Sequence, residues 1–273
     1  MLYLNIIKLF YYILIKRNLY ILRKYFFNRN FNFKINAFYS DYLLELKKKG
    51  YVIIKNFISS NECELIIKHI EKFLIENKEL TYHDNDYSDQ RIHGAENISE
   101  NINNFFNNKL PIEVGNHYYN GELKNLMTMA NKTKFVENNK GSGQGWHRDG
   151  LNFQYKSILY LVNVNENNGP FQLIEKSHRV INIFKSCFRY NLDPFDTRIE
   201  NSIAEKIIVD FDNSLKTITG KAGDLILVDT SLLHRGNPLK NGSRYALTNY
   251  YYPKTIINNY IASFKPLLKT KFY

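Results

Sequence analysis

Cysteine is nearly absent from this chain. Of 273 residues only Cys63 and Cys187 are cysteines, and neither has a metal-ligand spacing, which sets aside a cysteine-held metal. A pairing between them stays open. Two cysteines in a chain this long read as buried thiols of a reducing compartment, so the expected location is cytoplasmic. Acidic residues are missing from the first 40 positions, where Lys8, Lys16, Arg17, Arg23, Lys24, Arg29 and Lys34 stand among Leu, Ile, Tyr and Phe. That stretch carries +7 of the net +11, and the remaining 233 residues carry only +4. Long apolar runs are lacking too. A membrane-spanning helix needs about 20 mainly apolar residues, whereas Lys8 interrupts the first run and Lys16-Arg17 end it. Positive charge does not precede an apolar run with small residues at a cleavage site, which excludes a secretory signal. No recognition motif accompanies the basic residues, so nucleic acid is not an expected partner.

What remains is a basic aromatic helical segment over residues 1–36 and a nearly charge-balanced body over 37–273. Two readings of the segment stand. It lies in a membrane surface, with rings in the lipid and cations on anionic headgroups, placing the protein peripheral to that membrane. Or it packs on the body or on a second subunit. At 32.4 kDa the chain buries one substantial core without needing a second domain. Its 21 tyrosines and 19 phenylalanines, with Val, Ile and Leu, supply strands of a sandwich. The 36 asparagines are spread without a repeat and read as coding bias.

Pattern divides the body further. Ser40–Lys49 suits a short helix and Tyr51–Lys55 a strand. Ser59-Ser60-Asn61-Glu62 fits a capping box, and Ile66, Ile70, Phe73 and Leu74 then fall on one helix face. Residues 81–108, with Arg91 and His93, read as a polar loop that covers a site, and 180–204 as an irregular segment, either a second lid or a substrate-shaping insertion. Strands are expected at Ser157–Val162, Lys206–Phe211, Leu225–Val228 and Tyr245–Tyr252. The class is mainly β with flanking helices.

Chemistry concentrates in His147, Asp149 and His234, with Arg244 ten positions later. Two imidazoles and a carboxylate hold Fe(II) on one face and leave the opposite positions open. His-x-Asp alone is weak, because this composition yields about 0.3 such matches by chance. The setting is stronger. His147-Arg148-Asp149 follows the loop Gly141-Ser142-Gly143-Gln144-Gly145 and precedes a strand, and in extended chain residues i and i+2 share a face. Ala222-Gly223-Asp224 reads as a turn, and His234 lies just past the strand that follows. A buried guanidinium at Arg244 needs an anion.

Trp146-His147-Arg148-Asp149, Asn168-Gly169-Pro170-Phe171 leading to Ser177-His178-Arg179, Ala222-Gly223-Asp224 leading to His234-Arg235-Gly236, and Arg244 together resemble the phytanoyl-CoA dioxygenase family. Gly50–Phe57 and the helix after it are similar as well, so the resemblance covers about residues 40–252. It implies a double-stranded β-helix (jelly-roll, cupin-like) core with His147, Asp149 and His234 holding Fe(II) in the barrel mouth. It also implies 2-oxoglutarate chelating the iron with Arg244 on its distal carboxylate, O2 as oxidant, and hydroxylation of a substrate C–H bond. Related halogenases have a small residue in place of the carboxylate, so Asp149 argues for hydroxylation. The glycine usual before the Ser-His pair is Lys176 here, a departure that touches a turn.

Gln144 and Trp146 flank the first ligand and are candidates for the cofactor pocket, while His178 reads as a structural hydrogen-bonding histidine. Lys156 opens a strand and Tyr160 lies within it, and pattern alone leaves each facing either solvent or the co-substrate. The substrate is a small-molecule, lipid or glycan-linked compound, and the basic leader favours the latter two. Two other readings stand beside the hydroxylase: a non-catalytic binding protein on the same fold, and a cupin-like metalloenzyme that uses no oxo acid.

Overall fold

Antiparallel pairing organises the molecule. The structure, a computed structural model, describes residues 37–254 apart from 152, 153, 194, 195 and 213, together with positions 4, 7, 8, 10, 11, 257, 258 and 261. Most of the 1–36 segment therefore lies outside the described residues. The elements are α1 (Ser40–Lys49), β1 (Tyr51–Ile54), α2 (Ser60–Glu76), β2 (Tyr82–His83), β3 (Asp89–His93), α3 (Glu100–Phe106), α4 (Lys109–Tyr119), β4 (Leu123–Lys134), β5 (Tyr155–Tyr160) and β6 (Phe171–Ile174). They continue with α5 (Val180–Tyr190), α6 (Asn201–Asp210), β7 (Leu215–Ile218), β8 (Leu225–Asp229), β9 (His234–Gly236) and β10 (Ser243–Pro253). A seven-stranded sheet runs β1-β8-β5-β10-β4-β3-β2, and a three-stranded sheet runs β7-β6-β9. Two facing antiparallel sheets of this kind make the double-stranded β-helix.

Side-chain alternation gives the larger sheet two different faces. Outer-facing Leu159, Leu225, Leu227, Leu247, Tyr251, Ala130 and Ile92 form one core with α1 to α4, to which Leu46, Ile66, Ile70, Ile102 and Val114 contribute. Burying each large aliphatic there stabilises the fold by about 1.5–3 kcal/mol. The inner face meets the smaller sheet at Tyr160, Phe171, Leu173, Ile218, Ile226 and Val228, which fill one end of the barrel. The other end stays open.

The capping box forms as expected at its first half: Ser59 Oγ accepts from Glu62 N at 3.2 Å, and α2 buries Cys63, Ile66, Ile70 and Leu74. Gly223 is required by its turn. Its φ is +90°, and a Cβ there would stand 2.0 Å from the Ile58 carbonyl oxygen. The turn ends on Asp224, whose carboxylate accepts from Lys55 Nζ, Asn56 N and Lys221 N.

Three expectations are corrected. Lys206–Phe211 is not a strand; it belongs to α6, because burial follows a helical spacing, with Ala204 and Ile207 inside against Trp146, Ile174 and Leu233 while Val209 is exposed. The β-branched run suggested a strand, and packing overrode that preference. Residues 81–108 are not a plain loop, since β3 joins the larger sheet beside β4, and Ile102 and Phe105 of α3 enter the same core as Ile92 of β3. Residues 180–204 are largely helical, as α5 and the start of α6. Cys63 and Cys187 are both free thiols.

Candidate functional site

His147, Asp149 and His234 meet because three segments are bonded side by side. His147 and His234 exchange both backbone hydrogen bonds at 2.9 Å, so the His147 segment runs antiparallel to β9 and extends the smaller sheet. Asp149 N donates to Thr230 O at 3.1 Å, and Arg148 N donates to Thr197 O at 2.7 Å. His147 and Asp149 project to one side, toward His234. Arg148 between them projects to the other, and its Nη1 donates to the carbonyls of Ser177 at 2.9 Å and Ser231 at 2.8 Å. Gly143, with φ +85°, makes room for the ligand, since a Cβ there would lie 2.5 Å from His147 Cε1.

The donor atoms of the three side chains lie within 4.8 Å of one another. His147 Nε2 is 3.8 Å from Asp149 Oδ1, and His234 Nε2 is 3.8 Å from Asp149 Oδ2. Ligands about 2.1 Å from one ion stand about 3 Å apart at right angles, so a closure of about 1–2 Å brings the three donors to ligand spacing. The histidine tautomers are set from behind. His147 Nδ1 faces Gly145 O and His234 Nδ1 faces Leu232 O, each at 2.9 Å. A carbonyl only accepts, so each Nδ1 carries the hydrogen and each Nε2 offers its lone pair to the site.

Electrostatics favour the same ligand states. Burial, and then His147, hold the His234 imidazole down at about 3, and burial also lowers His147. Both are neutral at pH 7. Burial pushes the Asp149 carboxyl up, but Lys156 and the two histidines outweigh it and hold the group well below the usual carboxylate range. Asp149 Oδ2 is buried, with Lys156 Nζ 2.6 Å away, while both Nε2 lone pairs point at the same carboxylate. The donor set fits a divalent iron.

Across the barrel mouth, alternate residues of β10 line the same cavity: Arg244, Ala246, Thr248 and Tyr250. The cavity measures about 390 Å³, room for a drug-sized ligand. Arg244 is 5% exposed, yet its guanidinium reaches no carboxylate among the described residues. Nη1 donates to Gly169 O and Nη2 to Asn131 Oδ1 at 3.1 Å, while Nε has no partner. Asn131 is itself oriented by Asp89, which accepts from its Nδ2 at 2.7 Å and pairs with Arg91. A buried cation so held and so poorly neutralised is suited to bind an anion.

Lys156 faces this cavity. It is 8% exposed, with Nζ 2.6 Å from Asp149 Oδ2 and 4.2 Å from the centre of the Tyr250 ring. Tyr160 lies deeper, where its hydroxyl donates to Ile218 O and accepts from Phe171 N, tying the two sheets together. Gln144 lines the cavity in a left-handed conformation, φ +60°. Trp146 does not. It is 3% exposed in the cluster of Ile174, Ala204, Ile207 and Leu233, with Arg235 over its ring at 4.7 Å, because its side chain points oppositely to that of His147. His178 lies against Gly50 and away from the metal ligands. Sequence reasoning missed Asp89 and Asn131, and put Arg91 on a loop. No local pattern marks one asparagine among 36 as the partner of a guanidinium 113 residues away.

Solved structures share this architecture. The epimerase SnoN from nogalamycin biosynthesis, in complex with Fe3+, alpha ketoglutarate and nogalamycin RO, is 14% identical, with a TM-score of 0.60 over 80% of this chain and 85% of that one. HygX from Streptomyces hygroscopicus, with nickel and 2-oxoglutarate bound, is 15% identical, with a TM-score of 0.56 over 79% and 87%. EctD from S. alaskensis with bound Fe is 17% identical, with a TM-score of 0.59 over 78% and 76%. No curated protein matches the chain. Residues 46–246 match the family described as phytanoyl-CoA dioxygenase (PhyH). That span runs from α1 into β10 and takes in His147, Asp149, His234 and Arg244, and the chain belongs to the phytanoyl-CoA dioxygenase family.

Proposed function

We propose that this protein is an Fe(II)- and 2-oxoglutarate-dependent oxygenase that hydroxylates a C–H bond of a small organic substrate. One observation carries the reading: a neutral-histidine and carboxylate triad faces, across one cavity, a buried guanidinium without a carboxylate partner. His147, Asp149 and His234 would hold the iron. Arg244 would pair with the distal carboxylate of 2-oxoglutarate, offering its fork of donors to two oxygens. When bound, iron, the oxo acid and O2 supply the oxidising equivalent that attacks the C–H bond. Gly145 O and Leu232 O keep both imidazoles in the ligand tautomer. Asn131, Asp89 and Arg91 keep Arg244 in place.

Asp149 supports hydroxylation over halogenation, because it fills the position that a halide would need. An epimerase among the structural neighbours means that the fold hosts more than one outcome, so product analysis belongs in the test. The Fe(II)-loaded protein is titrated anaerobically with 2-oxoglutarate, then exposed to O2. A visible charge-transfer band followed by succinate release is expected. Absence of the band would leave the reading of a metalloenzyme without an oxo acid. A band with no turnover on any offered compound would leave that of a binding protein.

A further inference from the structure

The charges around the cavity do not balance once the proposed ligands are in place. Asp149 is the one carboxylate among the described residues that line it, whereas Arg91, Arg148, Lys156, Arg198 and Arg244 are cations. Two of these are committed elsewhere. Arg91 is paired with Asp89, and Arg148 turns its guanidinium to the Ser177 and Ser231 carbonyls. Arg244 is matched by the oxo acid. That leaves Arg198, exposed at the rim, and the buried Lys156, whose one carboxylate partner among the described residues is Asp149 at 2.6 Å. A divalent ion takes up that carboxylate's charge, and with Arg148 and Arg198 set aside, two negative charges on 2-oxoglutarate still leave about one positive charge in excess beside Lys156. A buried ammonium without a counter-ion is costly, and the Tyr250 ring face 4.2 Å away compensates only part of that.

We propose that Lys156 anchors an oxyanion of the primary substrate, a carboxylate or a phosphate, so that the enzyme acts on a small hydrophilic anion. This inference rests on the oxygenase reading above. The cavity walls agree with it. Aliphatic and phenyl side chains in the lining are Met129, Ile158, Phe171 and Ala246, beside a larger number of charged and polar groups. Arg198 stands exposed at the rim, its Nη1 held by Gly143 O at 2.7 Å and Gln144 O at 3.1 Å, and adds a second positive charge on the way in. On this proposal the substrate is of an anionic, water-soluble class rather than the lipid or glycan-linked class that the basic leader favours.

Calorimetry on the Ni(II)- and 2-oxoglutarate-loaded full chain provides the test, with inorganic phosphate and acetate as separate probes. At least one is expected to bind with a millimolar Kd, at least tenfold more weakly in Lys156→Met, with recovery in Lys156→Arg. Affinity for 2-oxoglutarate is expected to change less than threefold in Lys156→Met. Equal oxyanion affinity in Lys156→Met, or no binding of either probe to the loaded wild type, would overturn the proposal. So would a tenfold loss of 2-oxoglutarate affinity in Lys156→Met, which makes Lys156 a co-substrate anchor. Failure of the wild type to take up Ni(II) and 2-oxoglutarate at all overturns the oxygenase reading itself. Lys156→Gln is run in parallel, so that misfolding of one variant does not decide the outcome.

Discussion

Alanine at His147 or His234 removes one Nε2 from the triad and leaves the backbone pair between the two residues intact, since that pair uses main-chain atoms only. Either variant is expected to keep its circular dichroism spectrum and to lose stoichiometric Fe(II) or Ni(II) in equilibrium dialysis. Full metal content in one of them would remove that histidine from the site. Arg244→Ala tests the opposite wall. A charge-assisted contact contributes about 1.5–3 kcal/mol, so the Kd for 2-oxoglutarate is expected to rise about 10- to 100-fold with metal affinity nearly unchanged. Anaerobic titrations of both ligands check the split, and an unchanged oxo-acid affinity would place the anchor elsewhere.

Among the elements, the turn before α5 carries a strained residue. Lys176 has φ +64°, the left-handed region that an L side chain occupies at a cost of about 1 kcal/mol. This gives a physical meaning to the glycine usual at that position. Lys176→Gly is expected to raise stability by up to about 1 kcal/mol, less what the freer unfolded chain takes back, measured as a small upward shift in Tm. A fall in Tm would mean that the Lys176 side chain makes a contact outweighing its backbone strain. Asparagine handles the same conformation elsewhere. Asn120 and Asn191 end α4 and α5 at φ +49°, and Asn56 and Asn138 are also left-handed. So some of the asparagines read as coding bias serve as helix caps, where a short polar side chain tolerates positive φ.

At the scale of the whole molecule, pH acts through buried imidazoles. Burial, with a contribution from Arg91, holds His93 down at about 4, below its unfolded value near 6.5. The unfolded chain therefore takes the proton first as pH falls. Stability from this group is fully present above about pH 6.5 and drains away down to about pH 4, by about 1.4 kcal/mol per unit at most. Urea melts of the metal-free protein at pH 7.5, 5.5 and 4.5 are expected to show this loss, and His93→Asn to show less of it. An identical slope in the variant would assign the acid sensitivity to other groups, His234 first. The leader is a second global question. Its described part touches α5 and the turn after it: Phe10 packs edge-on to Phe184 at 5.4 Å, and Lys8 is 3.5 Å from Asp193. Among the described residues no helix is long and apolar enough to cross a membrane. Deleting residues 1–36 is expected to leave Ni(II) and 2-oxoglutarate affinity within about twofold, and to abolish salt-sensitive cosedimentation with anionic vesicles. Equal sedimentation of both chains, or of neither, would leave the leader as a packing segment.

By itself the sequence determined α1, β1, α2 and the strands around residues 157, 226 and 248, and it singled out His147, Asp149, His234 and Arg244, which the fold gathers around one cavity. The elements are written in local spacing, i and i+4 on a helix or a turn glycine before a strand, whereas the four site residues stood out through their combined resemblance to a family pattern. Tertiary structure decided what local spacing leaves free. The β-branched stretch in α6 is helical because Ala204 and Ile207 meet Trp146 and Leu233 from distant segments. Trp146 faces that cluster because the side chain next to a ligand in extended backbone points to the opposite side. Asp89, Asn131 and Arg244 become one hydrogen-bonded chain only after β3, β4 and β10 pair in register, with Thr133 between Asp89 and Arg244. Lys156 acquires its meaning in the same way, since the charge it must answer is assembled from three separate stretches of chain.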